Sequence, residues 1–193
     1  MSPLKQRMLE DMQLRNFSAG TQRSYIHYIT NYAYYYNVSP VHLGLDDIRN
    51  YQLYLIEQRQ LSPNSINCFL SAAQFLYTVT LEMPWSKAQF GRMKVPEKLP
   101  VVLSEEEVLG FFQHVGILKH RAVLMLCYGS GLRIAEAVSL KAENIDSKRM
   151  LIHVQLGKGL KDRYTVLSHR LLVLLRAYYK AQRPVDWFFP GTK

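Results

Sequence analysis

The stretch Cys127-Tyr128-Gly129-Ser130-Gly131-Leu132-Arg133-Ile134-Ala135-Glu136 places an arginine directly after a Gly-Ser-Gly turn. The apolar run before it predicts a buried helix over residues 119–128, which Gly129 breaks. The residues after it predict a short helix over 134–139. Arg133 then falls in the first turn of that helix, where the helix dipole disfavours a cation by up to about 1 kcal/mol. Something must compensate this charge.

Two partners fit Arg133. Neighbouring glycines let backbone N–H groups form a concave nest, a helix N-terminus adds unpaired donors, and a phosphate would suit both the nest and the guanidinium. Alternatively, Glu136 pairs with Arg133 as a helical neighbour, which is worth a few tenths of a kcal/mol. The turn alone leaves both interpretations open.

A second basic feature is a predicted hairpin. Two strand-like runs, residues 150–156 and 163–167, flank a turn rich in glycine and lysine. Lys158 lies between two glycines at the tip, where it could reach into a groove, and Lys161 and Arg163 lie beside it, where they could hold phosphates. An ordinary solvated turn is the alternative.

The first 83 residues predict a small four-helix unit with short loops. Its helices are marked by a short segment over residues 3–16, by Ser18, by Asp46 or Asp47, and by Ser62-Pro63. Residues 84–100 carry basic side chains, three prolines and no apolar periodicity, which predicts an extended basic linker.

Beyond that linker, residues 101–193 predict a second domain. Ser104 and Glu107 form a capping box that starts its first helix. A last helix covers residues 168–182, after the predicted hairpin. The expected fold is therefore mainly α, with a helical domain at 1–83, a linker at 84–100, and an α+β domain with a small antiparallel sheet at 101–193.

The chain has 193 residues and a net charge of +9. Residues 1–86 hold six Lys/Arg against six Asp/Glu, whereas residues 87–193 hold eighteen against nine, so the whole excess lies in the second part. This excess favours a polyanionic partner, nucleic acid before membrane, although it could also be incidental. No apolar run of about 18 residues is present, and the N-terminus lacks a signal-peptide pattern, so we expect a cytoplasmic protein.

The two cysteines and the many tyrosines have simple interpretations. Cys68 and Cys127 lie in apolar helical patterns and form no CxxC pair, which predicts reduced core residues and no metal site. The interior tyrosines are predicted to pack in the core, with base stacking as the alternative.

Six segments in this order resemble the tyrosine recombinase (phage integrase) family over essentially the whole chain. Three resemble its helical, SAM-like core-binding domain, one the entry to its catalytic domain, and two the boxes that hold its first catalytic arginine and its catalytic lysine. These segments are 18–25, 48–51, 61–67, 99–108, 128–137 and 157–163.

The resemblance implies attack by a tyrosine on double-stranded DNA to form a 3′-phosphotyrosyl link, with no metal or nucleotide cofactor and with assembly as tetramers. It implies that Arg133 clamps the scissile phosphate and that Lys158 protonates the leaving 5′ oxygen. Because the first domain has no net charge, its DNA face should collect its arginines. The predicted DNA-binding residues are Arg15, Arg23, Arg49, Arg59, Lys161 and Arg163.

The sequence also departs from the family. It has no His-x-x-Arg box, since His169 and Arg170 are adjacent, and no tyrosine far enough along to be the nucleophile. Tyr164, Tyr178 and Tyr179 come too early, and the last two are predicted to pack. The aromatic cluster at 187–189 is expected to need burial against a part that is not present, as in an incomplete catalytic domain.

The favoured hypothesis is a truncated site-specific recombinase or integrase of a mobile element that binds DNA without cleaving or joining it alone. Two alternatives stay open. One is a shortened product that competes with a full-length enzyme at recombination sites. The other is a helical protein-interaction domain whose basic charge is incidental.

Overall fold

A computed structural model describes residues 2–85, 90–97, 99–155 and 161–191 of the chain. The chain divides into two compact units, Met1–Leu99 and Pro100–Lys193. The fold is mainly helical with one small antiparallel sheet, as the sequence predicts.

The first unit is a helical bundle that ends in a π-helical turn. Serine side chains start three of its helices, because Ser2, Ser18 and Ser62 each accept a hydrogen bond from the backbone N–H three residues on. The third helix begins at Leu45, slightly before the predicted start at Asp46 or Asp47. The elements are α1 (Pro3–Leu14), α2 (Ala19–Tyr36), α3 (Leu45–Glu57), α4 (Pro63–Phe75) and the π-helical turn (Leu76–Thr80).

Aromatic side chains form the centre of this unit. Tyr32 and Tyr51 are buried against Phe69, with ring centroids 5.5 and 4.9 Å apart. Burial raises the pKa of Tyr51 to about 12. Tyr77 is also buried, and its hydroxyl lies 3.0 Å from each of two carbonyl oxygens, one in the 3-10 turn Pro40–His42 and one in Leu43 directly after it. These three tyrosines are core residues, as predicted.

Part of the segment predicted as a linker packs on the first unit. Phe90 is buried, and its ring centroid lies 4.8 Å from that of Trp85. The side chain of Asn67 accepts from the N–H of Met93 at 2.8 Å and donates to the carbonyl of Met93 at 3.0 Å. The composition of this segment shows no periodicity, but individual apolar residues still anchor it to α4.

In its described residues, the second unit combines four α-helices and a short 3-10 turn (Ala142–Asn144) with the sheet. Its first helix starts at the predicted capping box, because Ser104 and Glu107 exchange hydrogen bonds of 3.2 and 2.7 Å. The three strands lie in the sheet in chain order, each antiparallel to its neighbour, and the first of them was not predicted. The elements are α5 (Glu105–His114), α6 (Leu118–Ser130), α7 (Ile134–Val138), β1 (Ile145–Asp146), β2 (Leu151–Val154), β3 (Arg163–Val166) and α8 (His169–Gln182).

The C-terminal aromatic cluster contributes to the core of this unit. Phe188 and Phe189 are each 4% exposed and lie against Tyr178 of α8. The N–H of Phe188 donates to the carbonyl of Leu140 at 2.7 Å. The expectation that these two phenylalanines need an absent partner is therefore wrong, because the chain after α8 turns back onto the same core. Trp187 stays half exposed.

Both cysteines are free thiols, but only one is partly enclosed. Cys68 is exposed and Cys127 is half-buried. The prediction of a core position for Cys68 is wrong, because the helical period points Ile66, Phe69 and Leu70 inward and leaves residue 68 on the outer face of α4.

Candidate functional site

Arg133 lies at the N-cap of α7 and not in its first turn. Helix α6 continues through Gly129 to Ser130, and Gly131 ends it in the left-handed conformation with φ of +64°. Leu132 is buried, whereas the side chain of Arg133 is 57% exposed. The turn thus anchors itself in the core and presents the guanidinium at the surface.

Glu136 receives four hydrogen bonds from two arginines. Its carboxylate accepts from the backbone N–H of Arg133 at 2.8 Å and from Nη1 of Arg133 at 2.9 Å. The two terminal nitrogens of Arg163 bind the same carboxylate at 2.8 and 2.7 Å. A carboxylate has about four lone-pair sites, so these bonds fill its capacity.

These contacts stabilise the charged form of Glu136 although its side chain is only 9% exposed. Hydrogen bonds from Arg163, and then those from the backbone and side chain of Arg133, lower the pKa of Glu136 to about 2 against the opposing effect of burial. The pairing of Arg133 with Glu136, which the sequence left open, is present. Glu136 therefore offsets the charge of Arg133 at this turn.

The arginine turn is also tied to strand β3. The hydroxyl of Ser130 donates to the carbonyl of Val166 at 2.7 Å. The hydroxyl of Thr165 donates back to the carbonyl of Ser130 at 2.6 Å. Together with the pair between Arg163 and Glu136, these bonds hold the turn that carries Arg133 against the strand that leaves the predicted hairpin.

The structure describes the base of this hairpin. Strands β2 and β3 pair in antiparallel register, with His153 opposite Tyr164 and the two rings stacked at 4.8 Å. Nε2 of His153 lies 3.2 Å from a carboxylate oxygen of Asp162. The tip, including the predicted catalytic Lys158, lies outside the described residues.

The two basic residues predicted beside Lys158 differ in their surroundings. Lys161 is exposed. Arg163 is half-buried, and its guanidinium is engaged by Glu136. The structure therefore brings Arg163 together with Arg133 through one shared carboxylate.

The predicted DNA-binding arginines of the first unit lie on different elements and are all exposed. The guanidinium of Arg15, at the end of α1, lies 5.9 Å from the ring centroid of Phe75. A hydrogen bond with Tyr54 raises the pKa of Arg59. These arginines are Arg15, Arg23 on α2, Arg49 on α3, and Arg59 shortly after α3.

The contact between Glu136 and Arg163 was not predicted from the sequence. The two residues are 27 positions apart, so no helical or strand spacing relates them. The enclosure of the Glu136 side chain, which is 9% exposed, is visible only in the folded unit. No signal in the sequence alone could have found this pair.

Two kinds of feature are absent from the described part of the chain. Within it, no cluster of three or more histidine, cysteine, aspartate or glutamate side chains could hold a metal ion. No helix in the same ranges has the length and apolar character needed to cross a bilayer.

Two family profiles match the chain. Residues 4–87 match the phage integrase N-terminal SAM-like domain. Residues 102–193 match the phage integrase family. The two matches fall on the two units of the structure.

Curated relatives extend this similarity along the chain. It is 49% identical over 194 residues to y4qK, a candidate integrase/recombinase of Sinorhizobium fredii, and the match covers 100% of this chain and 63% of y4qK. It is 31% identical over 173 residues to an integrase/recombinase of Escherichia coli, covering 86% of this chain and 50% of that protein. The chain therefore spans between half and two thirds of the length of these relatives.

Solved structures share the fold. The integrase of transposon Tn1549, in complex with circular intermediate DNA, superposes with a TM-score of 0.67 at 15% identity, covering 98% of this chain and 71% of that one. The XerH site-specific recombinase, bound to its difH substrate, gives a TM-score of 0.68 at 16% identity, covering 100% of this chain and 63% of that one.

Proposed function

This chain belongs to the phage integrase family of tyrosine recombinases, and we propose that it forms the DNA-binding part and the first portion of the catalytic site of a mobile-element recombinase. Its partner is double-stranded DNA. The reaction to which it contributes is the attack of a tyrosine on a DNA phosphodiester, followed by strand exchange.

One observation supports the proposal above the others. The turn that carries Arg133 is bound to strand β3 through Ser130, Thr165 and the pair of Glu136 with Arg163. Lys158 is five residues before the start of β3 in the sequence. A guanidinium and a hairpin-borne ammonium that must act on one phosphate need such a connection between their supporting elements.

The proposed roles follow from the chemistry of phosphoryl transfer. That reaction needs positive charge at the non-bridging oxygens and a proton for the leaving oxygen. The exposed guanidinium of Arg133 suits the first task because its planar fork matches two phosphate oxygens. Lys158 would supply the proton to the 5′ oxygen.

We further propose that a polypeptide of these 193 residues binds DNA but does not cleave it alone. Its sequence contains neither the His-x-x-Arg box nor a tyrosine at the position of the family nucleophile. Loss of a nucleophile removes the covalent route altogether.

Incubation with a nicked suicide-substrate DNA that carries the recombination site tests both parts of the proposal. We expect no covalent protein–DNA band from the chain alone, and a band when the C-terminal part of y4qK is supplied. A band from the chain alone would refute its inability to cleave.

Arginine variants then test the role of Arg133 in this complemented reaction. Arg133→Ala should lower the rate by about 10² to 10³ while DNA affinity stays within a few-fold. Arg149→Ala is the matched control, because Arg149 is also paired with a carboxylate, Asp146, at 3.1 Å. Equal rates for the two variants would remove Arg133 from the catalytic site.

A further inference from the structure

We propose that Arg163 is a positioning residue that neutralises Glu136, so that the guanidinium of Arg133 is free to leave this carboxylate for a DNA phosphate. The inference rests on the proposed function of the same site. It changes the role of Arg163 from a DNA contact to a support for Arg133.

The two arginine side chains share the hydrogen bonds to Glu136 unequally. Of the four bonds to Glu136, Arg163 gives two, the backbone of Arg133 gives one, and the side chain of Arg133 gives only one. If the guanidinium of Arg133 moves to a phosphate, Glu136 loses a single bond. It keeps the bidentate pair with Arg163, which is the stronger geometry.

The three side chains also differ in how far they are buried. The side chain of Glu136 is 9% exposed and that of Arg163 is 35% exposed, whereas that of Arg133 is 57% exposed. A buried carboxylate left without a cation is strongly destabilising. Arg163 is the more buried of the two cations, and Arg133 is the one that faces solvent.

The same geometry argues against a direct phosphate contact by Arg163. Both of its terminal nitrogens are bound to Glu136 at 2.8 and 2.7 Å. To bind a phosphate through this fork, Arg163 would have to give up both bonds. Glu136 would then hold Arg133 more tightly at the moment when Arg133 is needed.

The test follows the Nε–Hε NMR resonance of Arg133 in the full 193-residue chain, identified by its absence in Arg133→Lys. The readout is the change in the chemical shift of this resonance between the free protein and the protein saturated with duplex DNA. Because it is measured at saturation, this change does not depend on the overall DNA affinity. In Arg163→Gln this change should fall at least about twofold, because Glu136 competes with the phosphate for Arg133. In Arg163→Gln combined with Glu136→Gln it should return to the wild-type value.

Control variants separate this role from a general one. Arg149→Gln, which removes another arginine paired with a carboxylate, should leave the Arg133 signal unchanged. If Arg163→Gln does not fold by circular dichroism, Arg163→Lys replaces it and should give an intermediate change, since lysine keeps the charge but not the fork.

Three outcomes would overturn the inference. An unchanged Arg133 signal in Arg163→Gln would do so, and so would a reduced signal that Glu136→Gln does not restore, which would indicate a direct phosphate contact or a merely structural role. In both cases the proposed function stands. If the wild-type Arg133 resonance does not move when DNA binds, the role of Arg133 fails and the inference fails with it.

Discussion

At the scale of single residues, Glu136 is the side chain on which the geometry of the arginine turn depends. It fixes the backbone N–H of Arg133 and the fork of Arg163 at the same time. Because the carboxylate is mostly enclosed, the interaction holds only while Glu136 is ionised. Its contribution to stability must therefore depend on pH.

The sign of this dependence follows from the lowered pKa of Glu136, which is about 2 in the folded chain against an ordinary value of 4.5. A depressed pKa stabilises the fold above the unfolded value, and this stability is lost as pH falls through the folded value. The difference in free energy of unfolding between wild type and Glu136→Gln should thus be constant above pH 4.5 and shrink toward pH 2. Urea unfolding at a series of pH values measures it.

A matched control for this prediction is Glu143→Gln. Glu143 lies in the same unit, its side chain is 69% exposed, and its paired cation, Lys141, is 3.8 Å away. Its substitution should change the free energy of unfolding only slightly, because an exposed pair at this distance contributes little. A flat profile for Glu136→Gln would mean that its carboxylate is not held as the structure describes.

At the scale of elements, the end of α6 determines where Arg133 emerges. Gly131 has φ of +64°, a conformation that L side chains rarely adopt, although the space that an added methyl group would occupy has no atom within 4 Å. Gly131→Ala should therefore destabilise the second unit by about 1 to 2 kcal/mol through backbone strain alone. Thermal unfolding followed by circular dichroism measures the change.

Gly129, two residues earlier, should respond to the same substitution with the opposite change in stability. It lies within α6, it also has open space around it, and its backbone is helical. Gly129→Ala should stabilise the unit by about 0.5 to 1 kcal/mol because alanine favours the helix. Destabilisation by both substitutions would place the end of the helix at the earlier glycine, as the sequence alone predicts.

Much of the element pattern could be predicted because its signals are local. Ser18, Ser62 and Ser104 each cap a helix through a bond to an amide three residues away, so the information lies within one turn. The two-residue strand β1 has no such signal, because only its pairing with β2 defines it. The burial of Phe188 likewise depends on a contact with Leu140, far back in the sequence.

The residues of the site could likewise be predicted only where their signals are local. Arg133 could be singled out because the helix dipole disfavours a cation directly after the glycine turn. Glu136, three residues further on, was one of the two partners predicted for it, and a phosphate was the other. Arg163 was assigned to phosphate contacts because its neighbours are basic. Its bond to Glu136 joins residues 27 positions apart and is visible only in the folded unit.

At the scale of the whole molecule, charge is distributed unevenly along the chain. Residues 1–86 are neutral, with six basic against six acidic side chains, and residues 87–193 carry the whole excess of eighteen minus nine. The neutral stretch of residues 1–86 can bind DNA only if its exposed arginines face the duplex and its acidic groups do not. Arg23 and Arg49 are exposed on α2 and α3, whereas Arg7 is paired with Glu82 at 3.2 Å.

Salt dependence tests this distribution directly. Each phosphate neutralised by a lysine or arginine adds about 0.9 to the slope of log K against log salt concentration. If Arg23 and Arg49 contact phosphates, the combined Arg23→Gln and Arg49→Gln variant should reduce that slope by about two units, measured by fluorescence anisotropy with a labelled duplex.

Arg7→Gln should leave the slope close to that of wild type, because the charge of Arg7 is already offset by Glu82. Equal slopes for all three proteins would move DNA binding away from these arginines, and weak, salt-independent retention of the wild-type chain would favour a protein-interaction domain with incidental charge.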